Sequence, residues 1–288
     1  MERRSLLKRL VAGAAAAALP KAAAAHPRET KGGEVGMLYD STRCIGCKAC
    51  VVACREATGT RPEGTRWDNQ TELNANTRTV IKQFRGPGAQ SAFVKQQCMH
   101  CLDPACVSAC MIGALKKREF GAVTYNKDLC VGCRYCQIAC AFGVPKFEFD
   151  SAAPRIQKCE LCVDRLKVGK QPACTEVCPR QAIVFGKRDA LLRDAHARIA
   201  AQKDLYLDHV YGETEAGGTQ VLYLTRKDVS FQDLGLPKLG SESAPHLSEA
   251  IQEGIYQGMA TPAVLYGVVA AVIWRNKRAH NKSNEDAQ

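Results

Sequence analysis

Aromatic residues make up 6% of this 288-residue chain, and nowhere do they interleave with a basic stripe. That absence matters because lysine and arginine outnumber aspartate and glutamate by 40 to 29, an excess that invites a nucleic-acid reading. RNA- and DNA-binding surfaces gather their positive charge into a patch with stacking rings among it. Here the excess is loaded at the ends: residues 1–25 hold five basic and one acidic residue, and residues 275–288 hold four and two. A G-x-G-x-x-G loop is also missing, and the pair Gly217-Gly218 is too little to cradle a dinucleotide. Long apolar stretches are scarce too: residues 10–19 are too few to span a bilayer, and the seventeen residues at 258–274, which carry no charge, sit at the lower edge of the length a span needs.

What the chain has is cysteine. Its sixteen cysteines fall into four groups of four with none left over. Cys44/Cys47/Cys50/Cys54 and Cys130/Cys133/Cys136/Cys140 read C-x2-C-x2-C-x3-C, the spacing with which bacterial ferredoxins hold [4Fe–4S] clusters. Cys98/Cys101/Cys106/Cys110 widens the middle gap to four residues, and Cys159/Cys162/Cys174/Cys178 widens it to eleven. Sixteen thiolates in four sets imply four [4Fe–4S] clusters, with iron bound through all sixteen cysteines. Two plainer readings fare badly. Cysteine-rich exported domains are usually disulfide frameworks, but they are mostly short, and regular C-x2-C groups are poor partners for local bridges. A zinc-ribbon interaction module also uses C-x2-C pairs, yet zinc has no use for the third cysteine that follows three residues later in two of the groups.

The fold expected is α+β, two bacterial-ferredoxin-like two-cluster units plus a C-terminal single transmembrane helix. Between the second and third groups, strand-like pieces at 114–117 and 122–125 flank a turn at 119–121, the connection expected within one such unit. Strands at 36–40 and 182–186 then bracket a second unit, so that one is inserted in the other. In ferredoxins the fourth cysteine of a group serves the neighbouring cluster. Nesting therefore assigns Cys44, Cys47, Cys50 and Cys178 to one cluster and Cys159, Cys162, Cys174 and Cys54 to the next. Within the inserted unit it assigns Cys98, Cys101, Cys106 and Cys140, then Cys130, Cys133, Cys136 and Cys110. Sequential pairing, first group with second and third with fourth, stays open, because 146–150 and 155–158 can form a hairpin of their own. Both alternatives use the same sixteen residues. Proline follows the fourth cysteine only at Cys178-Pro179, and His100 lies within a group already supplied with four thiols, which points to a place beside the cluster or at the surface.

Around this body the chain divides by composition. Residues 1–25 carry Arg3-Arg4-Ser5-Leu6-Leu7-Lys8, an apolar stretch and an Ala-rich end, the pattern of a twin-arginine signal peptide. Residues 26–35 form a linker, 36–188 the four-cluster domain, and 189–247 an extension with a surface helix at 189–201 and a strand at 217–225. Strand candidates at 78–84 and 92–97 lie in the long connection between the first two groups. Residues 248–275 are expected to form a membrane anchor helix and 276–288 a cytoplasmic tail. Tyr256 and Trp274 bracket the seventeen uncharged residues at 258–274, and Arg275, Lys277 and Arg278 follow as the positive-inside rule requires of a cytoplasmic end. Signal and anchor both put the cysteines outside the cytoplasm.

MLYDSTRCIGCKAC, KQQCMHCLDPACVSAC, KDLCVGCRYC and KCELC, with VYGETEAGGTQVL at 210–222 and the segment at 233–239, give the chain a family likeness. It resembles the periplasmic ferredoxin-like electron-transfer subunits of quinone-reducing membrane-bound [NiFe] hydrogenases of the hydrogenase-2 type. The resemblance implies a non-catalytic subunit without catalytic residues of its own. Its partners are then hydrogenase small and large subunits and an integral membrane quinone-reducing subunit, and no nucleic acid. It also implies a location on the periplasmic side of the bacterial inner membrane. The iron–sulfur subunit of a respiratory molybdenum enzyme such as formate dehydrogenase shares the four-cluster plan and is the alternative.

Overall fold

The computed structural model describes residues 34–60, 72–86, 91–149, 154–249, 262, 265–275, 277 and 278. The chain divides into two units, Ala25–Pro245 and Met1–Ala24 with His246–Gln288. In the first unit the elements run β1 (Val35–Asp40), α1 (Ala49–Thr58), β2 (Val80–Arg85), β3 (Ser91–Gln96), α2 (Ala105–Ser108), β4 (Leu115–Lys117), β5 (Val123–Tyr125) and α3 (Tyr135–Ala139). They continue with β6 (Lys146–Phe147), β7 (Ile156–Gln157), α4 (Val163–Lys167), α5 (Ala173–Glu176), β8 (Ile183–Lys187), α6 (Arg188–Ala201) and β9 (Val221–Leu224).

Strand β1 is the middle of a three-stranded sheet, antiparallel to β8 and parallel to β9. Side chains alternate across a strand, and here both faces are covered. Met37, Tyr39, Val221, Tyr223 and Ile183 face a core that includes Cys174 and Leu161. Leu38, Leu222 and Leu224 face Leu191, Ala195 and Ile199 of α6. That two-sided burial explains why β1 reads as an apolar run rather than an alternating one. The helix expected at 189–201 is α6, starting one residue earlier, and its apolar positions recur every four residues on the sheet side. Strand β9 is shorter than the expected 217–225. Gly217 and Gly218 take φ of 81° and 88° at the end of a single 3-10 turn, a backbone that cannot pair as a strand.

The remaining strands form two-stranded hairpins: β2 with β3, β4 with β5, and β6 with β7. The hairpin expected at 146–150 and 155–158 is thus present but shrinks to two residues a side. Asp40, fully buried, joins the sheet to the extension: its carboxylate accepts from Tyr206 at 2.8 Å, Arg198 at 3.2 Å and Thr42 Oγ1 at 2.5 Å.

In the second unit residues 265–275 are helical, with Leu265 and Trp274 exposed. No helix among the described residues is long and apolar enough to cross a membrane. Of the apolar run, residues 258–261, 263 and 264 lie outside the described residues, as do the signal-like residues 1–25 and most of the linker.

Candidate metal centres

The four cysteine groups are built on one local device. The residue two places after the first cysteine has positive φ in every group: Gly46 at 69°, His100 at 49°, Gly132 at 72° and Leu161 at 57°. That conformation turns a backbone N–H toward sulfur, as in other anion-binding backbone nests. Gly46 donates to Cys44 Sγ at 3.5 Å, Gly132 to Cys130 Sγ at 3.5 Å, and Leu161 to Cys159 Sγ at 3.4 Å. The His100 backbone does the same for Cys98. At Gly46 the requirement is double, since a Cβ would also overlap the Phe93 ring. His100 and Leu161 carry side chains in this strained region because both are fully buried and packing over-determines them.

The third cysteine of each group opens a short helix: Cys50 in α1, Cys106 in α2, Cys136 in α3 and Cys174 in α5. The fourth follows four residues on, within α1 for Cys54 and at or just past the helix end for Cys110, Cys140 and Cys178. It is thus carried past the cavity that the first three face and presented to a different one.

The thiols consequently gather in neighbourhoods that cut across the order of the chain. Cys178 lines one cavity with Cys44, Cys47 and Cys50. Cys54 lies within electrostatic reach of Cys159 and Cys162, and Cys174 faces all three. Cys140 neighbours Cys98, Cys101 and Cys106. Cys110 neighbours Cys136, as do Cys130 and Cys133.

Burial dominates the thiol electrostatics. It pushes Cys54 and Cys106 up to about 12 and Cys98 and Cys136 up to about 11, with neighbouring thiolates adding to the rise. Cys174 and Cys101 go up further for the same reason. Closely set buried thiols that resist ionisation gain their charge from a cation that deprotonates them outright, which couples metal binding to proton release. All sixteen are free of disulfides. Yet among the described residues no three His, Cys, Asp or Glu side chains converge tightly enough to hold one metal ion. Zinc needs four ligands about 2.3 Å from a single point. Four irons, each taking one thiolate, need sulfurs spread around a volume. With N–H groups aimed at four sulfurs and apolar walls behind them, the residues fit [4Fe–4S] clusters.

Three polar side chains are buried in a way that spacing alone does not reveal. His100 is not at the surface: it is fully buried, and its Nδ1 accepts the Val123 N–H at 2.9 Å. Burial, reinforced by Lys158 and Lys117, holds its pKa well down, so the ring is neutral. Lys95 and Lys158 are also buried, at 1% and 2% exposure. The usable signal for Lys95 is alternation along β3, which puts it on the same face as Phe93.

Fold and thiols together define an iron–sulfur electron-transfer protein of the ferredoxin type, with four [4Fe–4S] clusters. The 4Fe-4S dicluster domain family matches residues 36–111 and again residues 89–188. The hydrogenase-2 operon protein HybA of Escherichia coli O157:H7 is 40% identical over 327 aligned residues, covering 99% of each chain. The nitrate-inducible formate dehydrogenase iron-sulfur subunit of Escherichia coli strain K12 is 36% identical over 248 residues, covering 82% of this chain and 81% of its own. The chain belongs to the family of the hydrogenase-2 operon protein HybA.

Proposed function

We propose that this chain relays electrons from a [NiFe] hydrogenase to a quinone-reducing membrane subunit, through four clusters set in line. In this reading Cys44, Cys47, Cys50 and Cys178 hold the first cluster, and Cys159, Cys162, Cys174 and Cys54 the second. Cys98, Cys101, Cys106 and Cys140 hold the third, and Cys130, Cys133, Cys136 and Cys110 the fourth. One observation carries it: each fourth cysteine has its thiol neighbours in a group other than its own. The pairing of β1 with β8 supports the nested plan, in which one ferredoxin-like unit is inserted in the other. Order follows from contacts between neighbourhoods, Cys98 with Cys159 and Cys106 with Cys136. Lys95 stands between the first and second sets.

When bound, the clusters supply one-electron transfer, with no bond made or broken. The chain's own residues hold them, keep water out and set the charge around them. Protection is greatest in the middle of the series, where Cys54, Cys98, Cys106, Cys159 and Cys174 are buried. It is least at the ends, where Cys47 and Cys133 are exposed. Exposed Met111, Val131 and Ile138 lie in the loops and helix around the fourth set, the kind of apolar surface that a partner subunit covers. The hydrogenase reading is favoured over the formate dehydrogenase one by the extent of the likeness, 99% of both chains against 82% and 81%.

Export through a twin-arginine signal at 1–25 and anchorage by the apolar run at 258–274 complete the proposal, with the clusters on the periplasmic side and residues 276–288 in the cytoplasm. Deleting residues 258–288 tests it. The truncated protein should keep all four clusters, leave the membrane fraction and uncouple hydrogen oxidation from quinone reduction, while dye-linked hydrogen oxidation persists. Quinone reduction at the normal rate would remove the anchor from the scheme. Loss of the dye reaction would move this chain into the catalytic unit. Co-purification with a molybdenum enzyme in place of a hydrogenase would reverse the choice of partner.

A further inference from the structure

Lys95 is an ammonium group held where bulk water does not reach it. It lies near the end of β3, is 1% exposed, and its Nζ donates to Gln97 Oε1 at 2.5 Å and to Thr79 Oγ1. Both acceptors are neutral. No carboxylate among the described residues pairs with it, although buried lysines are almost always paired. Its side chain lines the cavity of Cys44, Cys47, Cys50 and Cys178. The sulfurs near enough to act on it are those of Cys174, Cys50, Cys54 and Cys159, drawn from the first and second sets. The counter-charge is therefore the thiolate shells themselves, which become more negative when an electron arrives.

We propose that Lys95 is a fixed positive charge shared by the first and second clusters, positioned by Thr79 and Gln97 to stabilise an electron on either. This rests on the ligand assignment proposed above. Net charge and hydrogen bonding around a cluster set its potential, and a charge between two clusters raises both together. Transfer between them then stays near level, while the pair becomes easier to reduce than either would be alone. Lys158 does not duplicate this role: its Nζ donates to the carbonyls of Val123 and Cys159, and it faces Cys98 and Cys106 of the third set.

The test is a redox titration of the full chain, purified without oxygen and followed by electron paramagnetic resonance. Lys95→Met keeps the stem and removes the charge. It should make one-electron reduction of two clusters at least tenfold less favourable, a fall of about 59 mV in each midpoint. The other two midpoints should stay in place. Lys95→Arg should hold all four near the wild-type values. Should Lys95→Met fail to load iron, Thr79→Asp keeps the lysine and cancels its charge, and the same two midpoints should fall. Four unchanged midpoints in a fully loaded variant would overturn the proposal, and so would a single shifted midpoint or an equal shift of all four. The two affected signals are identified by those lost in Cys44→Ala and Cys159→Ala. If the ligand assignment is at fault, Cys54→Ala and Cys159→Ala remove different clusters. If only the lysine proposal is at fault, they remove the same one.

Discussion

The thiols packed against the β8–β1–β9 sheet and those around the β4–β5 and β6–β7 hairpins share one loop device but not one kind of support. On the sheet side, the strands are buried on both faces, Tyr223 packs tilted against Tyr39 and edge-on against Tyr211 with centroids 5.5 and 6.4 Å apart, and α6 closes the back. On the hairpin side, strands of three and two residues enclose a core of Leu115, Val123, Phe147 and Ile156 that Cys106 and Cys136 complete. Its outer surface leaves Met111, Val131 and Ile138 at 80%, 72% and 82% exposure. A two-stranded hairpin is marginal by itself in water. On this contrast, protein packing is expected to hold the sheet side and metal binding to supply folding energy on the hairpin side.

The sharpest way to break this comparison is to remove the clusters. On anaerobic extraction of iron, amides of Leu115, Val123 and Phe147 should lose their protection from hydrogen exchange, while those of Leu38, Leu222 and Leu224 keep theirs. Simultaneous loss in both regions would erase the distinction.

Single ligands give the next largest effect. Cys54→Ala and Cys159→Ala should each remove the same cluster, about four of sixteen irons. Iron analysis with low-temperature spectra decides it. Loss of the second group's cluster in Cys54→Ala would instead establish sequential sharing, and the two sides would then not be separate pairs.

Packing alone gives the smallest effect and sharpens the contrast. Leu222→Ala opens a cavity between the sheet and α6 and should cost about 2–5 kcal/mol in denaturant unfolding. Ile138→Ala, on the exposed face of the hairpin side, should stay within about 0.5 kcal/mol. Equal costs would mean that the hairpin side is packed as firmly as the sheet.

Much of the site is legible in the amino-acid order alone. The sixteen ligand candidates follow from spacing, because a C-x2-C loop and a one-turn step to the fourth cysteine are local geometry, decided within about ten residues. The hairpins at 80–96 and 115–125 are legible for the same reason. The strand expected at 217–225 is too long, since two adjacent glycines with positive φ look from sequence like flexible strand residues. His100 is out of reach of local reasoning, and strand alternation gives for Lys95 only the face it shares with Phe93, not its burial; Lys82, on the paired strand, forms an ion pair with Glu72 at the surface.

The cofactor class, the sixteen candidate thiols and the local turns are readable from the amino-acid order, because each depends on residues close together in the chain. Which thiols become neighbours and which charges lie among them is set by contacts between distant segments. Cys44 meets Cys178 because β1 pairs with β8 across nearly the whole cysteine body. Lys95 enters the interior because the β2–β3 hairpin folds its Phe93 onto the first cysteine loop. Such contacts join segments far apart in the chain, and their free energy comes from burying a shared core. No run of neighbouring residues carries that information alone.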